Sequence, residues 1–176
     1  MNNEVTGTFT PTHHKSWIAH TIDITNCICH SSHFEDLVLV APKGVGVARR
    51  NYAILTTSGE PLVTSKPFYS TWFLSRLSGS TSFFEAATGN FLASFSGKGI
   101  LLPTKLIFED QVVEVTWQHK STTRVLQSKY FRFEWKGIKE VRFQIDVDFF
   151  LHSLAVGFFY YIVQERLLAG PGPNGW

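Results

Sequence analysis

Along most of this chain apolar and polar residues alternate in short stretches, and one segment departs from that habit. Phe149 to Val163 (FFLHSLAVGFFYYIV) is apolar on every side over fifteen residues. A membrane-crossing helix needs roughly twenty, and His152 and Ser153 lie near the start of the run. Length and all-round hydrophobicity together predict a helix enclosed by other elements of the protein. Reading residues 149–168 as a membrane anchor would set Gln164-Glu165-Arg166 in the hydrocarbon, where charged groups are costly. The tail Gly170 to Trp176 (GPGPNGW) cannot continue a helix.

The preceding residues read as strands. Trp17 to Ile28 alternates, with Ile18, Ile22 and Ile24 as inward candidates, and Leu37 to Ala41 is a short buried strand after a connector from His30 to Asp36. Two hairpins share one plan. In the first, Asn51–Thr57 and Leu62–Ser65 flank Ser58-Gly59-Glu60-Pro61; in the second, Ser82–Ala86 and Phe91–Phe95 flank Ala87-Thr88-Gly89-Asn90. A glycine at each tip supplies a backbone conformation that other residues resist. Gly99–Phe108, Val112–Gln118 and Arg124–Lys129 follow as further strands. Tyr130–Lys136 (YFRFEWK) alternates strictly, with Phe131, Phe133 and Trp135 on one face and Arg132, Glu134 and Lys136 on the other. Val141–Val147 precedes the apolar run, and Asp148 stands at the expected helix N-cap. The pattern predicts an all-β domain with one C-terminal helix, an antiparallel closed or nearly closed barrel around that helix. Its expected limits are a flexible arm over 1–16, a single barrel domain over 17–168 and a flexible tail over 169–176.

Composition agrees with that picture. The chain has 176 residues, a length suited to one domain with a substantial core. It is 17% charged, below the roughly 25% of an average globular protein. Sixteen Phe, five Tyr and five Trp favour strands. Net charge is only +2, but residues 37–139 carry +7 between ends of −3 and −2. A basic middle can form a surface for phosphates; scattered solvated lysines would give the same tally.

The hairpins NYAILTTSGEPLV and SFFEAATGNFLASF, the strand YFRFEWKG and the run DVDFFLHSLAVGFF together resemble the tubby C-terminal-like superfamily, which includes the LURP-one-related proteins and the phospholipid scramblases. The resemblance covers roughly residues 37–168. The family's usual Asp before the turn glycine is absent here; Thr56-Thr57-Ser58 and Ala87-Thr88 stand there instead. The resemblance implies a twelve-stranded barrel around a hydrophobic C-terminal helix, and work at membrane surfaces. Tubby domains hold phosphoinositide head groups through basic residues on the barrel exterior, and scramblases act on phospholipids. No residue transfers by strict motif, and nothing matches the scramblases' calcium or palmitoylation motifs. The nearest basic groups are Lys43 with Arg49 and Arg50, and a second set of Arg132 and Lys136 on one strand face with Lys129 on the other.

Candidate chemistry is otherwise sparse. Cys27, Cys29, His30 and His33 offer metal-ligand types, but C-x-C-H-x-x-H lacks the spacing of a standard zinc knuckle. Two cysteines one residue apart on a strand make a poor disulfide, so free thiols are expected. His152 reads as a core histidine, with Asp148 one turn earlier as the local carboxylate for any proton relay. Gly44-Val45-Gly46 leads to Arg49 where a dinucleotide fingerprint needs glycine. G-x-S-x-G and H-E-x-x-H do not occur. The expectation is a non-enzymatic module with no cofactor or metal and no nucleic-acid role. It would bind anionic phospholipid at a membrane surface through Lys43, Arg49, Arg50, Arg132 and Lys136. The N-terminus lacks a signal pattern, so a cytoplasmic, peripheral location is expected. A scaffold domain that uses the same surface for a protein partner is the alternative. A sugar-binding β-sandwich, using Trp72 and its aromatic neighbours, is another.

Overall fold

A helix with no polar side can be buried only if walls surround it, and the chain supplies them from one continuous sheet. The computed structural model describes residues 3–15, 22–41, 52–69, 79–96, 105–108, 111–120, 122–137 and 139–168. The first strands are β1 (Glu4–Lys15), β2 (Ile22–Ser31), β3 (Leu37–Val40), β4 (Ala53–Thr56) and β5 (Pro61–Tyr69). Then come β6 (Gly79–Glu85), β7 (Phe91–Ser96), β8 (Lys105–Phe108), β9 (Gln111–Glu114) and β10 (Thr116–Lys120). β11 (Thr123–Gln127), β12 (Phe131–Trp135) and β13 (Val141–Asp146) lead through a 3-10 turn, Val147–Phe149, into helix α1 (Phe150–Leu168).

All thirteen strands form one antiparallel sheet in the order β10-β11-β12-β13-β1-β2-β3-β4-β5-β6-β7-β8-β9. β1 joins its two halves, pairing with β13 through Glu4–Phe9 and with β2 through Gly7–Lys15. The sheet's two edges, β9 and β10, are separated in sequence by Val115 alone. The sheet therefore curls until its edges meet on one stretch of the chain, giving a nearly closed barrel. Side chains close the seam between β9 and the turn after β11. Tyr130 Oη donates to Gln111 Oε1 at 3.0 Å. Phe108 stacks on Tyr130 with ring centres 5.7 Å apart, and Phe149 lies 4.2 Å from the Tyr130 ring.

Inside, every residue of α1 from Ser153 to Ile162 is buried. Four consecutive aromatics, about 100° apart on the helix, reach different walls. Phe158 meets Phe9 and Tyr52 edge-on, both at 6.2 Å. Phe159 meets Tyr52 at 5.0 Å and Phe83 at 5.9 Å. Tyr160 packs on Trp117 at 4.9 Å, and Tyr161 on Phe9 at 5.6 Å and Trp135 at 5.8 Å. Such tilted contacts suit the aromatic quadrupole. The wall residues follow strand alternation: Phe131, Phe133 and Trp135 on β12, and Val141, Phe143 and Ile145 on β13, are all buried. Both hairpin glycines carry the expected positive φ, +91° at Gly59 and +73° at Gly89.

Several expectations are corrected. Within the arm expected over 1–16, residues 4–15 form β1, in the middle of the sheet order. Its Thr-rich composition belongs to the outer face; Val5, Phe9 and Pro11 are buried. Of the strand expected over Trp17–Ile28, residues 17–21 lie outside the described residues, and β2 runs from Ile22 on to Ser31. There Cys27 and Cys29 face inward and Ile28 is 46% exposed. A register shift between Thr12 and His13 interrupts the alternation opposite, so one parity does not hold along the whole of β2. The strand expected over Val112–Gln118 is interrupted at Val115 alone, as β9 and β10, and its alternation of buried and exposed residues runs through that point. The cap before the helix is Asp146, whose Oδ1 accepts from Asp148 N at 3.1 Å. Ile18 and the tail from residue 169 lie outside the described residues.

At Gly157 the helix backbone lies close against the wall. A Cβ there would stand 2.2–2.5 Å from carbons of the Phe133 ring. Phe9, Phe131 and Phe143 hold that ring on other sides, at 6.4, 5.3 and 6.1 Å. Gly157→Ala gains about 1 kcal/mol of helix propensity, but overpacking without room to relax costs about 1–3 kcal/mol and can exceed that. The expected result is a lower urea midpoint and melting temperature. A melting temperature at or above wild type would show that Phe133 can yield.

Candidate functional site

Because each hairpin turn falls at one end of the barrel or the other, the strand directions sort the charged turn residues into two rims. One rim carries the β2–β3, β4–β5, β6–β7 and β11–β12 turns and the start of α1. It holds Glu35, Asp36, Glu60, Glu85, Asp146 and Asp148, while Lys129 is the one lysine or arginine in those turns among the described residues. Lys129 Nζ sits 4.6 Å over the Tyr130 ring. The other rim carries the β10–β11 and β12–β13 turns, where Lys120, Lys136 and Lys139 are exposed. Arg142 on β13 is also exposed there and pairs with Glu140 at 3.3 Å.

The residues singled out for phosphate contacts divide accordingly. Lys136 lies on the basic rim. Arg132 lies further along β12, where its guanidinium is already engaged by Gln127 at 2.7 Å and by Glu134 at 3.1 Å. Lys43, Arg49 and Arg50 lie outside the described residues. The strand ends that flank them in sequence, Val40 and Ala53, pair with each other at the basic rim. Trp72, the candidate sugar-stacking residue, is also outside the described residues. Among the described residues no helix is long and apolar enough to cross a membrane.

The sheet divides the C-x-C-H-x-x-H cluster. Both thiols are free and buried against the interior, whereas His30 and His33 are exposed. His30 Nδ1 pairs with Asp36 at 2.7 Å, and His33 Nδ1 shares a hydrogen bond of 2.7 Å with Ser32 Oγ. No grouping of metal-ligand side chains occurs among the described residues. Burial pushes both thiols up, that of Cys29 to about 12, with Asp36 adding to the rise; the raised thiol keeps its proton in the fold.

At the acidic rim, where α1 begins, lies an open cleft of about 630 Å³. Its walls include Phe34, Leu37, Leu62, Phe91, Phe150 and Leu151, and its polar groups include Glu35, Glu85, Asp148 and His152. The His152 ring packs against Phe108 at 5.7 Å and Phe149 at 5.4 Å. Sequence reasoning placed Asp148 and His152 together on the helix but missed Phe34 and Glu85. The one available signal was a phenylalanine inside an otherwise polar connector. Comparison with family models, curated proteins and solved structures finds no match to this chain.

The thiols give a test of the interior. In the native protein, Cys27 and Cys29 should resist a thiol-reactive dye at neutral pH and react only as fast as the barrel opens. Their raised values also fix a sign. The unfolded chain loses thiol protons near pH 9 and the folded one only towards 12 for Cys29, so stability is intact below pH 9 and falls as pH rises through that window. Replacing both cysteines with alanine should flatten that part of the stability profile. A profile of unchanged slope would contradict the burial.

Proposed function

We propose that this chain is a non-enzymatic binding module that sits at a membrane surface and engages anionic phospholipid head groups through its basic rim. The observation that carries the reading is the sorting of charge along the barrel axis. Exposed Lys120, Lys136 and Lys139 stand at one end, and most carboxylates of the described turns stand at the other. A molecule polarised in this way is oriented by a negative surface before contact, basic end first. Lysines in short turns at a rim can reach phosphates together without deforming the sheet. Arg132 takes a lesser part, since leaving Glu134 and Gln127 offsets what a phosphate offers. Lys43, Arg49 and Arg50, outside the described residues, belong to the proposed set on the strength of the sequence alone.

Each basic residue near an anionic membrane contributes on the order of 1 kcal/mol, screened within a Debye length. The full-length chain should therefore co-sediment with vesicles containing phosphatidylserine or phosphoinositide at low salt, and neither at high salt nor with neutral vesicles. The double variant Lys136→Glu/Lys139→Glu should weaken association by at least about tenfold, on that same scale, at an unchanged melting temperature, with Arg132→Gln having a smaller effect. Association that ignores salt or survives the double reversal would remove the lipid reading, and a protein partner for the same rim would take its place.

A further inference from the structure

We propose that the cleft at the acidic rim is a binding site for a small amphipathic cation, an organic ammonium carried on an aromatic or aliphatic body. The inference is independent of the lipid reading, which concerns the opposite end of the barrel. Its first support is size and lining. About 630 Å³ lies within the range of small-molecule sites, which combine apolar walls with a few polar groups.

The second support is preorganisation. Phe34 is 42% exposed, yet its ring is stacked on Phe150 at 4.4 Å and an angle of 20°. Ser31 fixes the backbone beneath it: Phe34 N donates to Ser31 Oγ at 3.1 Å, and Ser31 Oγ donates to Phe34 O at 3.2 Å. An apolar ring held open to water by its own loop presents a face that a ligand can cover without ordering the loop first. On the opposite wall the β6–β7 hairpin holds Glu85, whose carboxylate accepts from Thr88 Oγ1.

Charge then selects the occupant. Glu35, Glu85 and Asp148 line the cleft, and among the described residues no lysine or arginine does. A carboxylate ligand would meet three like charges, and a neutral one would leave them without a counter-ion. An ammonium satisfies them, while its body covers Phe34, Phe91 and Leu37 and the ring faces favour a nearby cation.

The probe pair is tryptamine and indole-3-propionate, which share a ring and differ in the sign of the side-chain charge. Both are titrated into the full-length chain and followed by amide NMR. Tryptamine should bind saturably, shifting Phe34, Glu85, Phe91 and Asp148, and indole-3-propionate should not bind. Glu85→Gln and Asp148→Asn, each altering one surface-accessible carboxylate, should weaken tryptamine roughly two- to fivefold each. Phe34→Ala should weaken it roughly two- to tenfold, and the carboxylate variants carry the test if that one fails to fold. Equal binding of the two probes, shifts centred elsewhere, indifference to both carboxylate variants, or no saturable binding of tryptamine would each overturn the proposal.

Discussion

Everything in this barrel is arranged around a helix that has no face to give to water. Its backbone polar groups are satisfied internally, so a helix is the one element that can stand inside an apolar interior without unpaired groups. Its side chains then need partners on every side, and Phe158, Phe159, Tyr160 and Tyr161 find theirs on different strands. A two-layer packing would leave some of these rings in solvent. A sheet curled through thirteen strands does not. At Gly157 a side chain would occupy the space of the Phe133 ring. The interior is filled by aromatics on both sides of the contact, so its fit depends on shape as well as on hydrophobicity.

Closure follows from the same demand. A sheet with two free edges exposes unpaired backbone groups, and here both edges fall on one stretch of chain, on either side of Val115. Beside it the seam carries the Tyr130–Gln111 hydrogen bond and the packing of Phe108, Tyr130 and Phe149. Val112, 61% exposed beside this seam, is an apolar residue at an outward position of an alternation that continues through Val113 and Val115.

The sequence made the interior legible wherever both faces of a strand differ strongly in polarity. FRFEW and VRFQID announce their inner faces, and the glycine-tipped hairpins announce their turns. β1 escaped because threonine serves an outer strand face as readily as a loop, and its inward residues are few: Val5, Gly7, Phe9 and Pro11. In β2 the inward side chains near the middle are cysteines, while an isoleucine faces out. A hydrophobicity pattern cannot tell which parity wins until the register with β1 is known, and that register shifts at Thr12. Asp146 and Asp148 posed a similar choice. Both are suitable cap residues, and only the backbone geometry shows that Asp146 accepts the N–H.

The candidate sites were legible only in part, for a reason that lies in topology. Lys136 was visible as a polar member of an alternating strand, with Lys139 in the turn that follows, but nothing local says that Lys120 shares their end of the barrel. Glu35, Glu85 and Asp148 are fifty or more residues apart in sequence, and they meet because three separate connections terminate at the rim where the helix begins. Antiparallel order turns a distributed set of turn charges into two opposed surfaces. The core is built almost entirely from apolar and aromatic contacts, and the exposed lysines and carboxylates of the rims are not part of it. Charge at the rims can therefore change with little effect on stability, which leaves those surfaces to be shaped by what they meet.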